Sequence, residues 1–297
     1  MQQVKLFIQI PCHNEAHKAL EDTILSIPQH LDGFSSIEIV IIDDGSTDET
    51  VSLARSLGVK HIFSFHSRLG LASAFSFGIR SCLSLGADVI VNMDADNQYP
   101  AAYLPQLVAP ILSAKADLSL GARDFDAIKE FSRSRRILQR LGSFVVSKLC
   151  RVSIPDAATG FRAFSKEAAR KINVFTTYTY TLETLVQASH NKERIVSVPI
   201  RTNPATRPSR LFRHPLVYVF HSIGALVRLT VLYNPLRVLG WSALIFGLVS
   251  IISFFNDEKW MSGVCFLASL ASLFTGLVLD QISVNRRLLE ELQRRDP

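Results

Sequence analysis

Cysteine is scarce in this sequence, and the cysteines that are present form no recognisable binding pattern. There are four in 297 residues, with no Cys-x-x-Cys pair and no clustering with histidine. They are Cys12, Cys82, Cys150 and Cys265. Small disulfide-framework proteins and structural zinc sites need closely spaced cysteines. The sequence therefore argues against both and fits a reducing compartment.

Two glycine-rich phosphate-binding motifs are also missing. No Gly-x-Gly-x-x-Gly follows the first apolar run, residues 4–10, and this argues against a nicotinamide dehydrogenase. No Gly-x-x-x-x-Gly-Lys occurs in the chain, which argues against the P-loop phosphotransferases. If the chain binds a nucleotide, residues outside such glycine-rich motifs must bind its phosphates.

Apolar runs and helical segments alternate along the first part of the chain. Strands are predicted over residues 4–10, 37–42, 61–65, 89–93, 118–123 and 196–201. Helices are predicted after each of the first three strands and again between the fifth strand and the last. The second of these helices starts at a capping box formed by Ser46 and Glu49. The strands are almost continuously apolar, as in a sheet that is covered on both faces. The pattern predicts an α/β fold with a Rossmann-like, mostly parallel sheet.

Polar clusters follow three of these strands, at residues 11–15, 43–48 and 94–98. In an extended chain, Asp94 and Asp96 would leave the backbone on the same side and repel each other. A cation removes that repulsion, and oxygen ligands suit Mg²⁺ or Mn²⁺. Gln98 offers a further oxygen. An ordinary solvated turn is the alternative for any one cluster, but ligands of such sheets bind beyond the carboxyl ends of the strands.

Charge is distributed unevenly along the chain. The net charge is −6 over residues 1–119, +13 over residues 120–240 and −1 over residues 241–297. An acidic half that can hold a metal is thus followed by a basic segment that suits phosphates or anionic lipid. Nucleic acid is the other partner that a basic segment can indicate. It is disfavoured because the arginines stand beside a membrane anchor and not among stacking aromatics.

The C-terminal part is predicted to be a two-helix transmembrane hairpin. Residues 236–255 and 260–279 are each about 20 apolar residues, enough to cross a hydrocarbon core. A buried core hairpin is the alternative.

Residues 215–232 are predicted to form an amphipathic helix on the membrane surface, with an ordinary helix packed on the sheet as the alternative. Arginines flank the hairpin on both sides, which predicts that the catalytic domain and both termini are cytosolic.

These patterns divide the chain into four predicted regions. Residues 1–210 form a catalytic domain and residues 211–234 a membrane-interface region. Residues 235–282 form the hairpin, and residues 283–297 a basic cytosolic tail.

Four ordered motifs resemble those of the family-2 glycosyltransferases. They are Pro11 with Asn14-Glu15, Asp43-Asp44-Gly45-Ser46, Asp94-Ala95-Asp96 with Gln98, and Asp156 with Thr159-Gly160-Phe161-Arg162. Within that family the chain is most similar to polyprenyl-phosphate glycosyltransferases of the dolichol-phosphate mannose synthase type. The resemblance covers about residues 4–210 and implies a GT-A fold. It also implies inverting transfer from GDP-mannose or a UDP-hexose to undecaprenyl or dolichyl phosphate.

The resemblance also implies roles for individual residues. The nucleotide would be held by Pro11, Asn14, Glu15, Asp43 and Asp44, with Arg207 and Arg210 closing over the diphosphate. The metal would be held by Asp94, Asp96 and Gln98. Arg123, with Arg135 or Arg136, would face the acceptor phosphate, and Asp156 would act as a base or, as we prefer, orient one arginine.

Two other functions are consistent with the same fold. The first is a transferase that extends a lipid-linked or polysaccharide acceptor, but the Gln-x-x-Arg-Trp motif typical of such enzymes is missing. The second is a non-catalytic membrane scaffold, which would not need both metal carboxylates. A second copy of the chain and a downstream flippase are further candidate partners. No nucleic-acid partner is expected.

Overall fold

The structure is a computed structural model, and it describes residues 3–128, 131–174, 180–204, 224, 227–228 and 230–295. The chain divides into two compact units, Met1–Tyr218 and Val219–Pro297. The first unit contains a β-sheet with its covering helices, and the second contains two long apolar helices.

A seven-stranded sheet forms the centre of the first unit. Its strands are β1 (Lys5–Cys12), β2 (Ser36–Asp43), β3 (His61–Ser64), β4 (Val89–Asn92), β5 (Leu118–Arg123), β6 (Arg162–Ser165) and β7 (Ile195–Ile200). The strand order is β3-β2-β1-β4-β6-β5-β7. Only β6 runs antiparallel to its neighbours, β4 and β5. The mostly parallel sheet predicted from the alternating pattern is therefore confirmed.

Helices cover this sheet. They are α1 (Lys18–Ser26), α2 (Thr50–Ser56), α3 (Leu71–Ser84), α4 (Leu104–Leu112), α5 (Arg133–Cys150), α6 (Lys166–Arg170) and α7 (Tyr180–His190). A 3₁₀ turn, Ala101–Tyr103, precedes α4. The apolar residues of β1 are buried, including Leu6, Ile8 and Ile10, which are fully enclosed. Helices on both faces of the sheet explain why the strand sequences read as continuous apolar runs.

Two elements of the first unit were missed in the sequence. The strand β6 has only four residues and directly follows a turn-rich segment, so its pattern was too short to identify. The helix α4 carries Pro105 in its first turn, where proline is tolerated, and Pro110 in its interior, where proline normally argues against a helix.

Two local predictions are wrong. Ser46 and Glu49 do not form a capping box, because α2 begins at Thr50 and the Ser46 hydroxyl accepts from the backbone N–H of Asn14 at 2.9 Å. The chain is also no longer extended at Asp94 and Asp96, because β4 ends at Asn92 and a turn follows. The strand-alternation argument for pairing these two carboxylates therefore fails, although both lie just beyond the carboxyl end of β4.

The second unit contains α8 (Pro235–Phe255) and α9 (Lys259–Arg295). The segments Pro235–Phe255 and Lys259–Arg286 are long and apolar enough to cross a membrane, and only 17% and 11% of their most apolar stretches are buried. A core helix of a soluble protein would be mostly buried, so this exposure disfavours the buried-hairpin alternative. The Ser250 hydroxyl donates to Ser262 O at 2.8 Å and the Ser269 hydroxyl to Ala243 O at 2.7 Å, which joins the helices.

Two predicted elements of this region differ from the structure or fall outside it. The second apolar helix was predicted to end at residue 279, but α9 continues without a break to Arg295. The interface helix predicted over residues 215–232 lies mostly outside the described residues. Within this range the structure describes residues 224, 227–228 and 230–232, and these are helical.

Candidate active site

One edge of the sheet collects the predicted polar clusters. Cys12 at the end of β1 pairs with Asp43 at the end of β2, and Gln9 of β1 pairs with Asn92 at the end of β4. Because β6 is antiparallel, it begins where β4 ends, and Arg162 pairs with Asn92. The segments 11–15, 43–48, 94–98 and 156–162 therefore meet at this edge, together with Arg123 at the end of β5.

Asp43 and Asp44 lie at this edge, but their side chains are turned inward. They are only 3% and 4% exposed. Asp44 accepts from the backbone N–H of Leu69 at 2.6 Å and from that of Gly70 at 2.9 Å. Asp43 accepts from the backbone N–H of Ser46 at 3.0 Å. Asp44 thus fixes the loop that leads into α3, and its carboxylate engages the helix terminus.

The segment 13–16 is held against the loop after β2. The side-chain oxygen of Asn14 accepts from the backbone N–H of Thr47 at 2.8 Å, and the backbone N–H of Glu15 donates to the Thr50 hydroxyl at 2.8 Å. Pro11 is buried inside β1. These contacts make the first two clusters one continuous surface.

Carboxylates gather around the thiol of Cys12. Burial, followed by the charges of Glu15, Asp43 and Asp48, raises the pKa of Cys12 well above its ordinary value. The thiol is therefore neutral near neutral pH. The acidic residues at the ends of β1 and β2 thus lie close enough to the thiol to affect its pKa.

Asp94, Asp96 and Gln98 lie half-buried in the turn after β4. Asp96 accepts from the backbone N–H of Gln98 at 3.1 Å, and Asn97 takes a left-handed conformation with φ 56°. A Cβ atom added to Gly160 would lie 2.7 Å from Asp94 Oδ1. Only glycine at position 160 therefore leaves room for the Asp94 carboxylate.

The turn is anchored from two further directions. Asn203, just beyond β7, donates its backbone N–H to Gln98 O at 3.0 Å and its side-chain amide to Asn97 O at 2.8 Å. On the other side, the Asn92 amide donates to Gly160 O at 2.8 Å and to the Tyr180 hydroxyl at 3.1 Å. Tyr99 accepts from the backbone N–H of Gly160 at 3.1 Å. Side chains on two sides of this turn therefore hold it in place.

Arg123 and Asp156 form a two-pronged ion pair. Arg123 Nε donates to Asp156 Oδ2 at 2.6 Å and Nη2 donates to Oδ1 at 3.0 Å. The Asp156 side chain is fully buried and that of Arg123 is 11% exposed. Burial has the largest single influence and acts to lower the pKa of Arg123. The charges of Asp156, Tyr99 and Asp94 and the hydrogen bonds to Asp156 together more than offset burial and raise that pKa above its ordinary value. Arg123 is therefore a fixed, permanent cation.

A second arginine at this edge, Arg162, is completely buried. It donates to three backbone carbonyls and one hydroxyl, which belong to Ala157, Thr159, Thr181 and Thr184. Burial lowers its pKa to about 10, so it still carries its charge at neutral pH. Its contacts fix the segment between Asp156 and Gly160 against α7, which gives it a positioning role.

A cavity of about 410 Å³ lies beside the Arg123–Asp156 pair. Its lining includes the cations Arg123 and Arg140, the acid Asp124 and the apolar side chains Phe125, Phe144 and Ile154. Arg140 also donates to Asp126 at 2.5 Å. The bonds to Asp156 use Nε and Nη2 of Arg123 and leave Nη1 unengaged by that carboxylate. The cavity therefore offers cationic donors and an apolar wall to the same ligand.

The other predicted cations are placed differently. Arg135 stacks on Phe131, with its guanidinium carbon 4.0 Å from the ring centroid, and Arg136 donates to Ile128 O at 3.0 Å. These contacts fasten the start of α5. Arg207 and Arg210 lie outside the described residues.

Sequence reasoning missed several residues that shape this site, including Asn92, Tyr99 and Asn203. Each acts through a partner far away in the sequence, so no local spacing reveals it.

The described residues contain no group of three or more His, Cys, Asp or Glu side chains that could hold a metal. The turn after β4 offers the two carboxylates of Asp94 and Asp96. Mg²⁺ is usually bound through one or two carboxylates together with substrate phosphates.

Comparison with known proteins identifies a family that the chain matches and relatives of similar sequence. The model of Glycosyl transferase family 2 matches residues 7–173. The chain is 27% identical over 224 residues to UDP-N-acetylglucosamine--dolichyl-phosphate N-acetylglucosaminyltransferase of Methanococcus voltae, covering 66% of this chain and 85% of that protein. It is 28% identical over 207 residues to polyprenol monophosphomannose synthase of Mycolicibacterium smegmatis, covering 66% and 76%.

Solved structures resemble the fold. Glucosyl-3-phosphoglycerate synthase of Mycobacterium tuberculosis, in complex with Mn²⁺, UDP and glucosyl-3-phosphoglycerate, superposes with a TM-score of 0.59. The match covers 76% of this chain and 80% of that one at 20% identity. At this identity the likeness bears on the fold alone.

Proposed function

The chain belongs to glycosyl transferase family 2, and on that premise we propose that it transfers a sugar from a nucleotide-sugar to a polyprenyl phosphate. GDP-mannose or a UDP-hexose would be the donor, and undecaprenyl or dolichyl phosphate the acceptor. Two relatives with two thirds of this chain aligned carry names that specify sugar transfer to a dolichyl or polyprenol phosphate. That agreement supports the acceptor class.

The cavity beside Arg123 is the observation that carries the proposal. A polyprenyl phosphate has a doubly charged head on a long apolar chain, and it needs both kinds of surface at once. The wall combines Arg123 and Arg140 with Phe125, Phe144 and Ile154. Guanidinium groups bind phosphate oxygens through charge-assisted hydrogen bonds. Asp156 holds Arg123 in one orientation, which reduces the entropy cost of binding the phosphate.

The turn after β4 would hold Mg²⁺ or Mn²⁺ through Asp94, Asp96 and Gln98. The half-buried carboxylates and the glycine cradle at position 160 fit such an ion, which would find its remaining ligands on the donor diphosphate. When bound, a divalent ion neutralises the negative charge that develops on the leaving diphosphate. The synthase of similar fold was crystallised with Mn²⁺ and UDP.

The proposed reaction is a single inverting displacement. An oxygen of the acceptor phosphate forms a bond to the anomeric carbon, and the bond from that carbon to the diphosphate oxygen breaks. The nucleoside diphosphate leaves with the electron pair. A phosphate monoester is already anionic near neutral pH. No protein base is therefore required, and Asp156 serves to orient Arg123.

A transferase that extends a lipid-linked or polysaccharide acceptor is the second candidate. It would share the donor surface at the ends of β1 and β2. The relatives aligned above favour a plain polyprenyl phosphate, and the cavity places its cations beside the apolar wall, where a phosphate joined to a lipid chain fits better than a sugar.

The two apolar helices support a location in the membrane. Arginines lie in the first turn of α8 and in the last third of α9, on both sides of the apolar segments. On this basis we propose that the first unit and both termini are on the cytosolic side. A second copy of the chain and a downstream flippase stay predictions, since no contact of the described residues tests them.

The decisive experiment uses the full chain in nanodiscs that contain polyprenyl phosphate. Radiolabelled nucleotide sugars are supplied one at a time with Mg²⁺ or Mn²⁺, and label is followed into a lipid extract. We expect one donor to label a lipid that releases a single sugar on mild acid treatment, and chelator to abolish the labelling. Labelling that requires a lipid already carrying sugar would favour the second candidate instead, and full labelling in chelator would contradict the metal assignment.

A further inference from the structure

The helix α5 exposes several large apolar side chains, which is unusual for a helix that faces water. Toward the rest of the first unit it buries Gln139, Ser143, Val146 and Cys150. Its outward side carries four large apolar residues, Ile137, Leu141, Phe144 and Val145, which are 66%, 56%, 58% and 43% exposed. We call these four residues the α5 stripe. A surface helix of a soluble protein normally has the opposite arrangement, with its apolar stripe facing the core.

The charges on α5 and next to it are mostly positive, although Arg140 donates to Asp126 at 2.5 Å. Between residues 131 and 155 there are six cations and no acidic residue. They are Arg133, Arg135, Arg136, Arg140, Lys148 and Arg151. Among them, Lys148 lies 5.5 Å above the ring of Phe144, at the edge of the stripe. An apolar stripe edged by cations is the pattern of helices that lie in the interface of an anionic bilayer.

We propose that the α5 stripe is a membrane-docking face, on which the first unit rests against an anionic lipid bilayer. The four apolar side chains enter the boundary between headgroups and acyl chains, and the cations contact lipid phosphates. Each cation near an anionic surface strengthens the attraction to it. This contact is additional to the anchoring by α8 and α9.

Charge decides between a bilayer and a second copy of the chain as the occupant. Two copies paired through α5 in a symmetric contact would bring together two sets of six cations, and of these Arg140 is already paired with Asp126. Residues 131–155 of the other copy would supply no acidic residue to the remaining cations. Like charges at a desolvated interface are strongly unfavourable. An anionic lipid surface satisfies the apolar and the cationic groups together.

The docking face has a consequence that rests on the proposed function. Phe144 belongs to the α5 stripe, and Phe144 and Arg140 also line the cavity beside Arg123. The cavity therefore opens next to the face that lies on the lipid. An acceptor could pass from the bilayer surface into the cavity with its apolar chain still in contact with lipid.

Quenching by brominated lipid tests the docking face without any substrate, so its outcome is independent of the transferase proposal. The native tryptophans are first removed from the full chain by Trp241→Phe and Trp260→Phe. Leu141→Trp then places a probe in the α5 stripe. Leu25→Trp is the matched control, because Leu25 is 63% exposed on α1. Each variant is placed, one copy per nanodisc, in phosphatidylglycerol-containing bilayers with or without brominated acyl chains.

We expect bromination to reduce the fluorescence of Trp at position 141 at least twofold and to leave the control nearly unchanged. Replacing phosphatidylglycerol by phosphatidylcholine should weaken the quenching at position 141. Absence of quenching at position 141, or equal quenching at both positions, overturns the proposal. If Leu141→Trp fails to fold, Ile137→Trp provides a second probe in the same stripe with the same expected result.

Discussion

Gly160 lies so close to Asp94 that a single methyl group on its Cα would be 2.7 Å from Asp94 Oδ1. Gly160→Ala should therefore displace the Asp94 carboxylate. We expect a loss of about 10- to 100-fold in apparent metal affinity, the usual effect of disturbing a group that supports a ligand. The measurement is transfer activity against Mn²⁺ concentration.

Gly142→Ala is the matched control for this substitution, since a Cβ atom there meets nothing within 4 Å. It should leave the metal dependence unchanged. A Gly160→Ala variant with the wild-type metal curve would show that Asp94 does not need its present position.

Asp156→Asn should separate the two roles considered for this residue. Losing a charge-assisted contact with Arg123 should raise the acceptor KM about tenfold or more and change the donor KM little. A general base would instead appear as a fall in kcat together with the loss of the acid limb of the pH–rate profile. The KM values for acceptor and donor, and kcat, are measured by steady-state kinetics between pH 5 and 8.

Asp117→Asn provides a control with the same geometry. Asp117 accepts from Arg194 through both carboxylate oxygens, at 2.9 and 2.8 Å, at the opposite edge of the sheet. It should leave both KM values unchanged. An equal effect of the two substitutions would point to general destabilisation.

Asp44→Asn should loosen the loop before α3. Asp44 accepts from the backbone N–H groups of Leu69 and Gly70, so hydrogen exchange at these two amides should accelerate in the ligand-free protein. We also expect the donor KM to rise, because the loop borders the donor surface. Unchanged exchange with a raised donor KM would instead indicate that Asp44 touches the nucleotide directly.

Alkaline pH should destabilise the first unit. Burial raises the pKa of Cys82 from 9.0 to about 12, that of Cys150 from 9.0 to about 11, and that of Tyr99 from 10.0 to about 12. The unfolded chain therefore releases these protons at lower pH than the folded one. Their contribution is complete below pH 9 and is lost as pH rises toward 12.

The measurement is the free energy of unfolding of the first unit against pH, followed by tyrosine fluorescence in denaturant. Each group contributes a slope of up to about 1.4 kcal/mol per pH unit in that window. Cys82→Ala should reduce the slope. A stability that stays constant between pH 9 and 11 would contradict the burial of these groups.

The sequence predicted the parts of this protein that depend on local pattern. The apolar runs predicted the sheet, and the polar clusters after them predicted which edge of the sheet carries the site. The inference of the sheet succeeded because strand period and strand ends are encoded in neighbouring residues. The orienting role of Asp156, which came from the family resemblance, stays a prediction.

The sequence could not predict the contacts that fix the site in space. Gly160 approaches Asp94 and Asn203 binds Gln98 across 66 and 105 positions of the chain. Such contacts depend on which strands become neighbours, and the short antiparallel β6 was not recognised. The prediction that strand alternation places Asp94 and Asp96 on the same side also failed, because the chain turns immediately after β4.

The position of β6 also imposes an order on folding during synthesis. The strands β1 to β4 pair only among themselves until β6 arrives, and β5 has no partner among them. A nascent chain can therefore assemble the half-sheet bearing Asp43 and Asp44 well before residue 162 leaves the ribosome. During that interval, β4 presents an open apolar edge, the kind of edge that pairs with other chains. Ribosomal stalling between β5 and β6 should therefore be the stage of synthesis at which this protein most readily aggregates.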